Sequence, residues 1–461
     1  MQRNKPAPQQ PHRETKVQRQ QLSHLRMIGF SFGSVGTGLF ATTPTVLLLF
    51  YLTQLKGVHA GLAGFALLIP KLWDMVTDPI IGRWSDTTRS KYGRRLPFML
   101  TGALLMPLGL VLMFSVPETA TPLVAFWFVL VAYLFSATAY TLFAVPYITI
   151  PSELSNCPDE RLKIMSYRTS GVMFGIILGS GLPPFLITYF GQDATAYQLT
   201  ALVLGIICFS FLLVSMLSIK SHRLLEPEQK PTDLSFLQQM LRVMTPLFSY
   251  LVITHVLQIT AVGILLASAT YLAVFSNGLA PAAAGSFLTA TFVTAMVAMP
   301  LWQKLSMLTS RVTAFALGAV GYMLVAIAML TYGLNIAYWH FIGLGVGFGL
   351  GFAAIQMIPY ALLTDTIHQH GEQHGFGSEG MFTGIWTASE QLGLAVAPFL
   401  VGLALQYGGF IAGSEAQSET AIRTILLTAT LLPSALMFLS LFALYAFHRL
   451  YHKGPSHSGR F

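Results

Sequence analysis

Along the chain, apolar residues gather into twelve long runs separated by short polar breaks. Their approximate limits are 27–53, 61–84, 97–116, 122–150, 164–190, 198–219, 244–276, 283–305, 312–332, 336–366, 379–410 and 420–447. A helix that crosses a bilayer needs roughly 20 mostly apolar residues, which every run supplies. A membrane barrel would instead alternate apolar and polar residues over segments of about ten, and these runs are too long and too evenly apolar for that. The pattern predicts an all-α polytopic membrane protein with 12 transmembrane helices. The longest polar break, 220–243, carries Pro227, Pro231 and mixed charge. It predicts two six-helix halves, 27–219 and 244–447, with tails at 1–26 and 448–461.

Composition agrees: of 461 residues 54% are hydrophobic and only 10% charged, against about a quarter charged in soluble domains. A formal charge of +8 could suggest a nucleic-acid partner, but the basic residues sit in both tails and in alternate breaks (85–96, 151–163, 220–243). Apart from Lys56, the breaks at 54–60, 117–121, 191–197, 277–282, 333–335 and 411–419 have none. This is the positive-inside bias, so the charge reports orientation. Both termini are expected in the cytoplasm, in a plasma membrane of the bacterial inner-membrane kind, with the lipid bilayer and not nucleic acid as partner and a monomer as the working unit. Residues 1–26 lack the early apolar core of a cleaved signal. Cys157 in a polar break and Cys208 in an apolar run make no disulfide framework.

The halves carry a faint internal repeat. Ala144-Val145-Pro146-Tyr147 followed by Glu153 resembles Met357-Ile358-Pro359-Tyr360 followed by Asp365, and Pro79 to Arg95 has a weak counterpart in Pro300 to Arg311. Repeats at corresponding places mark transporters built by duplication, with the binding site between the halves near mid-membrane.

Charge inside the second run is the strongest chemical signal. Lys71, Asp74 and Asp78 fall on one helical face, with Gly82 continuing it. At mid-membrane each such group costs on the order of 2.5–3.5 kcal/mol, which makes the cluster a functional-site candidate by default. Two carboxylates one turn apart, without a cluster of His or Cys, suit a monovalent cation: Na+ takes hard oxygen ligands, and H+ can be shared by like charges. Thr77 and Thr141 offer further oxygens. A structural pairing of Lys71 with one Asp is the competing reading, and one lysine cannot balance two acids.

The run ends in Gly82-Arg83-Trp84-Ser85-Asp86 followed by Arg89, Lys91, Gly93, Arg94 and Arg95. This resembles the loop between the second and third helices of the major facilitator superfamily, where Gly82, Asp86, Arg89, Arg94 and Arg95 would form a cytoplasmic gate. The fuller pattern, Lys71-x-x-Asp74-x-x-x-Asp78-Pro79-x-x-Gly82 and then Asp86 to Pro97, is similar to the glycoside–pentoside–hexuronide:cation symporters, the family of the melibiose carrier and of vertebrate lysolipid carriers. The resemblance implies cation binding at Asp74 and Asp78 with Thr77 and Thr141 nearby. It implies a solute cavity lined by Lys71, Tyr140, Tyr147, Arg168, Glu390 and Gln391, no cofactor beyond the coupling Na+ or H+, and a small organic solute as partner.

The departures matter too. Gly38 aligns where sugar-transporting members have an acid, Ala144 where they place an Asp and Ile148 at an aromatic platform. Gln391 stands at the usual Lys, although a slip of one residue would make it Glu390. A pyranose is recognised through charged acceptors and an aromatic face, so a less polar or amphipathic solute gains ground over a classical sugar. Glu390 is expected to take part in coupling or to pair with an interior base, ahead of binding a cationic solute. His255 and His340 are expected to be packing residues, and the Gly343 to Gly351 alternation a close helix contact. The sequence lacks H-E-x-x-H, G-x-S-x-G and P-loop patterns. The function expected is therefore cation-coupled symport and not an enzyme activity, with a sugar symporter proper, a lysolipid carrier and a non-transporting membrane sensor as alternatives.

Overall fold

The computed structural model describes residues 23–90, 93–154, 157–219, 236–374 and 379–451. Among these, twelve helices are long and apolar enough to cross a membrane, and each coincides with a predicted run. In chain order the helices are α1 His24–Phe50, α2 Ala60–Thr87, α3 Leu96–Met113, α4 Pro122–Leu154, α5 Pro158–Phe190, α6 Ala194–Ile219, α7 Phe236–Val243, α8 Pro246–Tyr271, α9 Pro281–Leu308, α10 Arg311–Tyr332, α11 Tyr338–His374, α12 Glu379–Tyr407 and α13 Glu419–Tyr451. The short α7 replaces loop at the end of the 220–243 break. The rest of that break, and most of both tails, lie outside the described residues.

Local chemistry sets the ends. Ser23, Thr245 and Ser310 accept hydrogen bonds from the backbone N–H groups of Arg26, Phe248 and Thr313, satisfying donors that the first turn leaves free. Pro246 and Pro281 occupy first-turn positions, where the missing N–H costs nothing. The same rule corrects one expectation. The break at 151–163 is much shorter than predicted, because α4 runs through Glu153 and α5 starts at Pro158.

Two helices form the axis. α1 and α8 are almost wholly covered by protein, whereas most of the others turn one face outward. α1 lies against α5 through glycine: a side chain at Gly38 would meet the Val172 carbonyl at 2.8 Å and the Gly175 Cα at 3.3 Å. The Gly343 to Gly351 run works as expected, with Gly345 and Gly349 closing on α9 and Gly351 on α10. In a lipid solvent, where apolar collapse gives helices little reason to associate, such approaches supply the attraction.

The contacts that join the first six spanning helices to the last six crowd toward the end of the bundle away from both termini. α2 meets α12 where Gly64 abuts Phe399 and Gly402 abuts Ala60, and α5 meets α9 where the Ala282 N–H donates to the Thr188 hydroxyl at 3.0 Å. α1 and α8 each widen into a π turn there, Tyr51–Leu55 and Leu272–Ser276. Thr53 and Tyr271 share a hydrogen bond of 2.6 Å across the gap. Gly413 and Gln54 complete this seal, donating to the carbonyls of Thr53 and Ser414.

Candidate functional site

The predicted charge cluster assembles, with its two acids in different situations. Asp74 is 1% exposed. Lys71 Nζ lies 3.4 Å from its Oδ2, and the Thr141 hydroxyl of α4 donates to its Oδ1 at 3.4 Å. Lys71 also stands 5.5 Å from the centroid of the Tyr140 ring, which stacks on Phe40 of α1. Thr77 donates to the Trp73 carbonyl and sits 3.5 Å from Thr141. Asp74 is thus claimed by Lys71, as the structural reading of the pair required.

Asp78, one turn on and half-buried, forms no ion pair among the described residues. Thr141 of α4 and Gln391 of α12 lie beside its carboxylate. It therefore stands between the two sets of six helices. A cation arriving there finds a carboxylate without an ionic partner beside a hydroxyl, hard oxygen ligands of the kind a small monovalent ion takes.

Glu390 turns the other way. The Tyr360 hydroxyl donates to its Oε2 at 2.9 Å, and behind this pair His255 stacks on Trp386 with ring centroids 4.1 Å apart. His255 is fully buried, and neither ring nitrogen has a hydrogen-bond partner among the described residues. The expected pairing of Glu390 with an interior base is not found among the described residues; its partner is a phenol. Adjacent residues on a helix point about 100° apart, so Glu390 and Gln391 serve separate sites.

Arg168 lies over the Tyr147 ring, 5.8 Å from its centroid, with Nε buried and without a partner. Tyr147 is 1% exposed and pinned by the Ser34 hydroxyl and the Phe30 carbonyl. It supports Arg168 more than it opens onto a cavity. Gly38, aligned with a family acid, faces the seam with α5 and leaves no room for a carboxylate.

At the termini end, Arg95 bridges Asp86 at 2.7 Å and Glu153, and Arg94 reaches Glu153 at 2.6 Å. Arg89 is exposed and joins no ion pair among the described residues. A Cβ at Gly82 would make only ordinary contact with Val145. Glu153, the centre of this network, was legible as a member of the repeat but not as a gate residue. The repeat has its counterpart in space, because Arg311 pairs with Asp365 and the Tyr451 hydroxyl donates to Asp365 at 2.7 Å.

The chain is 24% identical to the inner membrane symporter YicJ of Escherichia coli, over 91% of this chain and 90% of that one. It is 22% identical to the isoprimeverose transporter of Lactiplantibacillus pentosus, over 84% and 80%. It is 23% identical to the sodium-dependent lysophosphatidylcholine symporter 1 of Gallus gallus, over 95% and 88%. Among solved structures, a bacterial homolog of the human lysosomal transporter Spinster, inward-facing and occupied, superposes with a TM-score of 0.69 at 12% identity, covering 94% of this chain and 97% of that one. The family model for MFS/sugar transport proteins matches residues 29–449, so the chain belongs to the MFS/sugar transport protein family as a multi-pass membrane transporter of the symporter type.

Proposed function

We propose that the protein is a cation-coupled secondary active symporter that moves a small organic solute by alternating access, with Asp78 as the cation carboxylate. The observation that carries this reading is the asymmetry of the acidic pair: Asp74 is neutralised by Lys71, while Asp78 meets Thr141 on one side and Gln391 on the other. A cation held there would tie the two sets of helices together. Moving one positive charge down 100 mV releases about 2.3 kcal/mol, enough for roughly fifty-fold accumulation of a neutral solute. That return explains why the cost of an intramembrane carboxylate is tolerated.

With the termini in the cytoplasm of a bacterium, as the basic loops favour, the seal built around Thr53 and Tyr271 lies outside and the conformation is inward-open. Arg95, Asp86 and Glu153 would then act as the inner gate. The relatives include carriers named for a sugar and for a lysolipid, so both solute classes belong in the test.

The test is Na+ titration of purified protein by thermal unfolding at fixed pH, with a parallel pH titration. The wild type should gain melting temperature with Na+ or H+ in proportion to RT ln(1 + [L]/Kd), and Asp78→Asn should lose at least 90% of that gain. An ion response that survives intact in Asp78→Asn would remove the assignment.

A further inference from the structure

We propose that the solute is a zwitterion, its anionic group held by Arg168 and its cationic nitrogen by Glu390 and Tyr360. This rests on the reading of Asp78 as the cation site. Five side chains that carry formal charge gather in the middle of the bundle: Lys71, Asp74, Asp78, Arg168 and Glu390. Lys71 and Asp74 cancel as a pair. A monovalent cation at Asp78 cancels the third. Arg168 and Glu390 are left, of opposite sign, and each without an ionic partner among the described residues.

Their placement suits a molecule lying between them. Counted from the helix ends on the termini side, Asp78 and Arg168 lie nine and ten residues in, so at a rise of 1.5 Å per residue both sit at about the same depth, roughly 14–15 Å. Arg168 lies over the Tyr147 ring of α4, and Glu390 of α12 is bonded to Tyr360 of α11, so the two charges are presented from opposite sets of six helices. Direct pairing would have closed the site; unpaired among the described residues, they offer a guanidinium from one set and a carboxylate from the other.

The surroundings fit the two ends. Arg168 keeps a buried, unpartnered Nε, a donor suited to a carboxylate or phosphate. Near Glu390, Tyr360 is 42% exposed and backed by Trp386, with His255 stacked behind it. A carboxylate beside aromatic faces is the chemistry that receives an ammonium group. A neutral polyol would leave both charges uncompensated, and a simple cation or anion would leave one, at the cost that unpaired ions carry away from water.

The experiment measures binding to purified wild-type protein and to Glu390→Gln and Arg168→Gln variants, in saturating Na+. The probes are glycine betaine, L-leucine and lysophosphatidylcholine as zwitterions, choline as the cation alone, and xylose as the neutral control. At least one zwitterion should bind, with Kd raised tenfold or more in each variant, while choline binding depends on Glu390 and not on Arg168. Because both substitutions are close in size or polarity to the originals, an unliganded melting temperature within a few degrees of wild type serves as the folding control. For a variant that fails this control, the neutral Glu390→Met or Arg168→Met takes its place with the same expected loss. Binding of xylose alone, zwitterion binding unchanged in the variants, or binding of none of the zwitterions overturns the proposal. Failure here with an intact Na+ response leaves the cation site standing. Absence of both the Na+ and the H+ response in wild type instead strikes at that reading itself.

Discussion

The two sides of the central site solve the same problem with different chemistry. On the α2 side, charge is balanced by charge: Lys71 covers Asp74, and Tyr140 and Thr141 satisfy what remains. On the α12 side, Glu390 has only the Tyr360 hydroxyl, in front of a stack of Trp386 and His255. Apart from Asp78, the first wall is balanced in charge without a ligand, and the second is not. The gates at the termini end differ in the same sense. Glu153 is 1% exposed and shared by two arginines, whereas Arg311 and Asp365 pair nearer the solvent. The difference teaches where substitutions should be felt: a buried shared partner is expensive to remove, and an exposed one is not.

The largest effect expected outside the cation site is therefore from Glu153→Ala. It leaves Arg94 without its carboxylate and Arg95 with Asp86 alone, and should cost about 3–5 kcal/mol, read as a fall in melting temperature in detergent. A change within error would show that the network is solvated and that the contrast between the gates is false. Gly38→Ala tests the claim that position 38 belongs to a helix seam. Overpacking against the Val172 carbonyl should cost about 1–3 kcal/mol, visible in the same assay, and an unaffected protein would put the position back in reach of a cavity. The smallest effect is expected from Asp365→Asn, below about 1 kcal/mol, since exposed pairs contribute little. A loss as large as that of Glu153→Ala would make the two gates equivalent.

Much of the fold could be read from the chain, because spanning length and hydropathy are local properties and the bilayer allows few alternatives. The limits of α2, α6 and α10 fall within a few residues of the apolar runs. What local reading shortened were the helix ends that leave the lipid, as at α4, where polar residues continue a helix begun by apolar ones. The Lys71, Asp74 and Asp78 face was legible for the same reason, since helical spacing alone brings it together. The cluster of His255, Tyr360, Trp386 and Glu390 was not, although three of the four had been noticed separately. Those residues come from α8, α11 and α12, and no periodicity tells which helices touch. Likewise only the fold showed that Gly38 points at α5 and that Gln391 reaches Asp78.

The seal around Thr53 and Tyr271 also fixes how the ends of the molecule answer to their surroundings. It is made of neutral hydrogen bonds, glycine on backbone and aromatic edges such as Phe50 on Tyr271 and Phe275 on Phe410, none of which dissolved ions can screen. At the opposite end the bonds of Arg94, Arg95 and Arg311 are ionic, and their outer members share the water with counterions. Raising ionic strength should leave one end untouched while loosening the other, so the concentration of salt in the compartment facing the termini becomes a setting of the resting shape and not merely a condition of the assay.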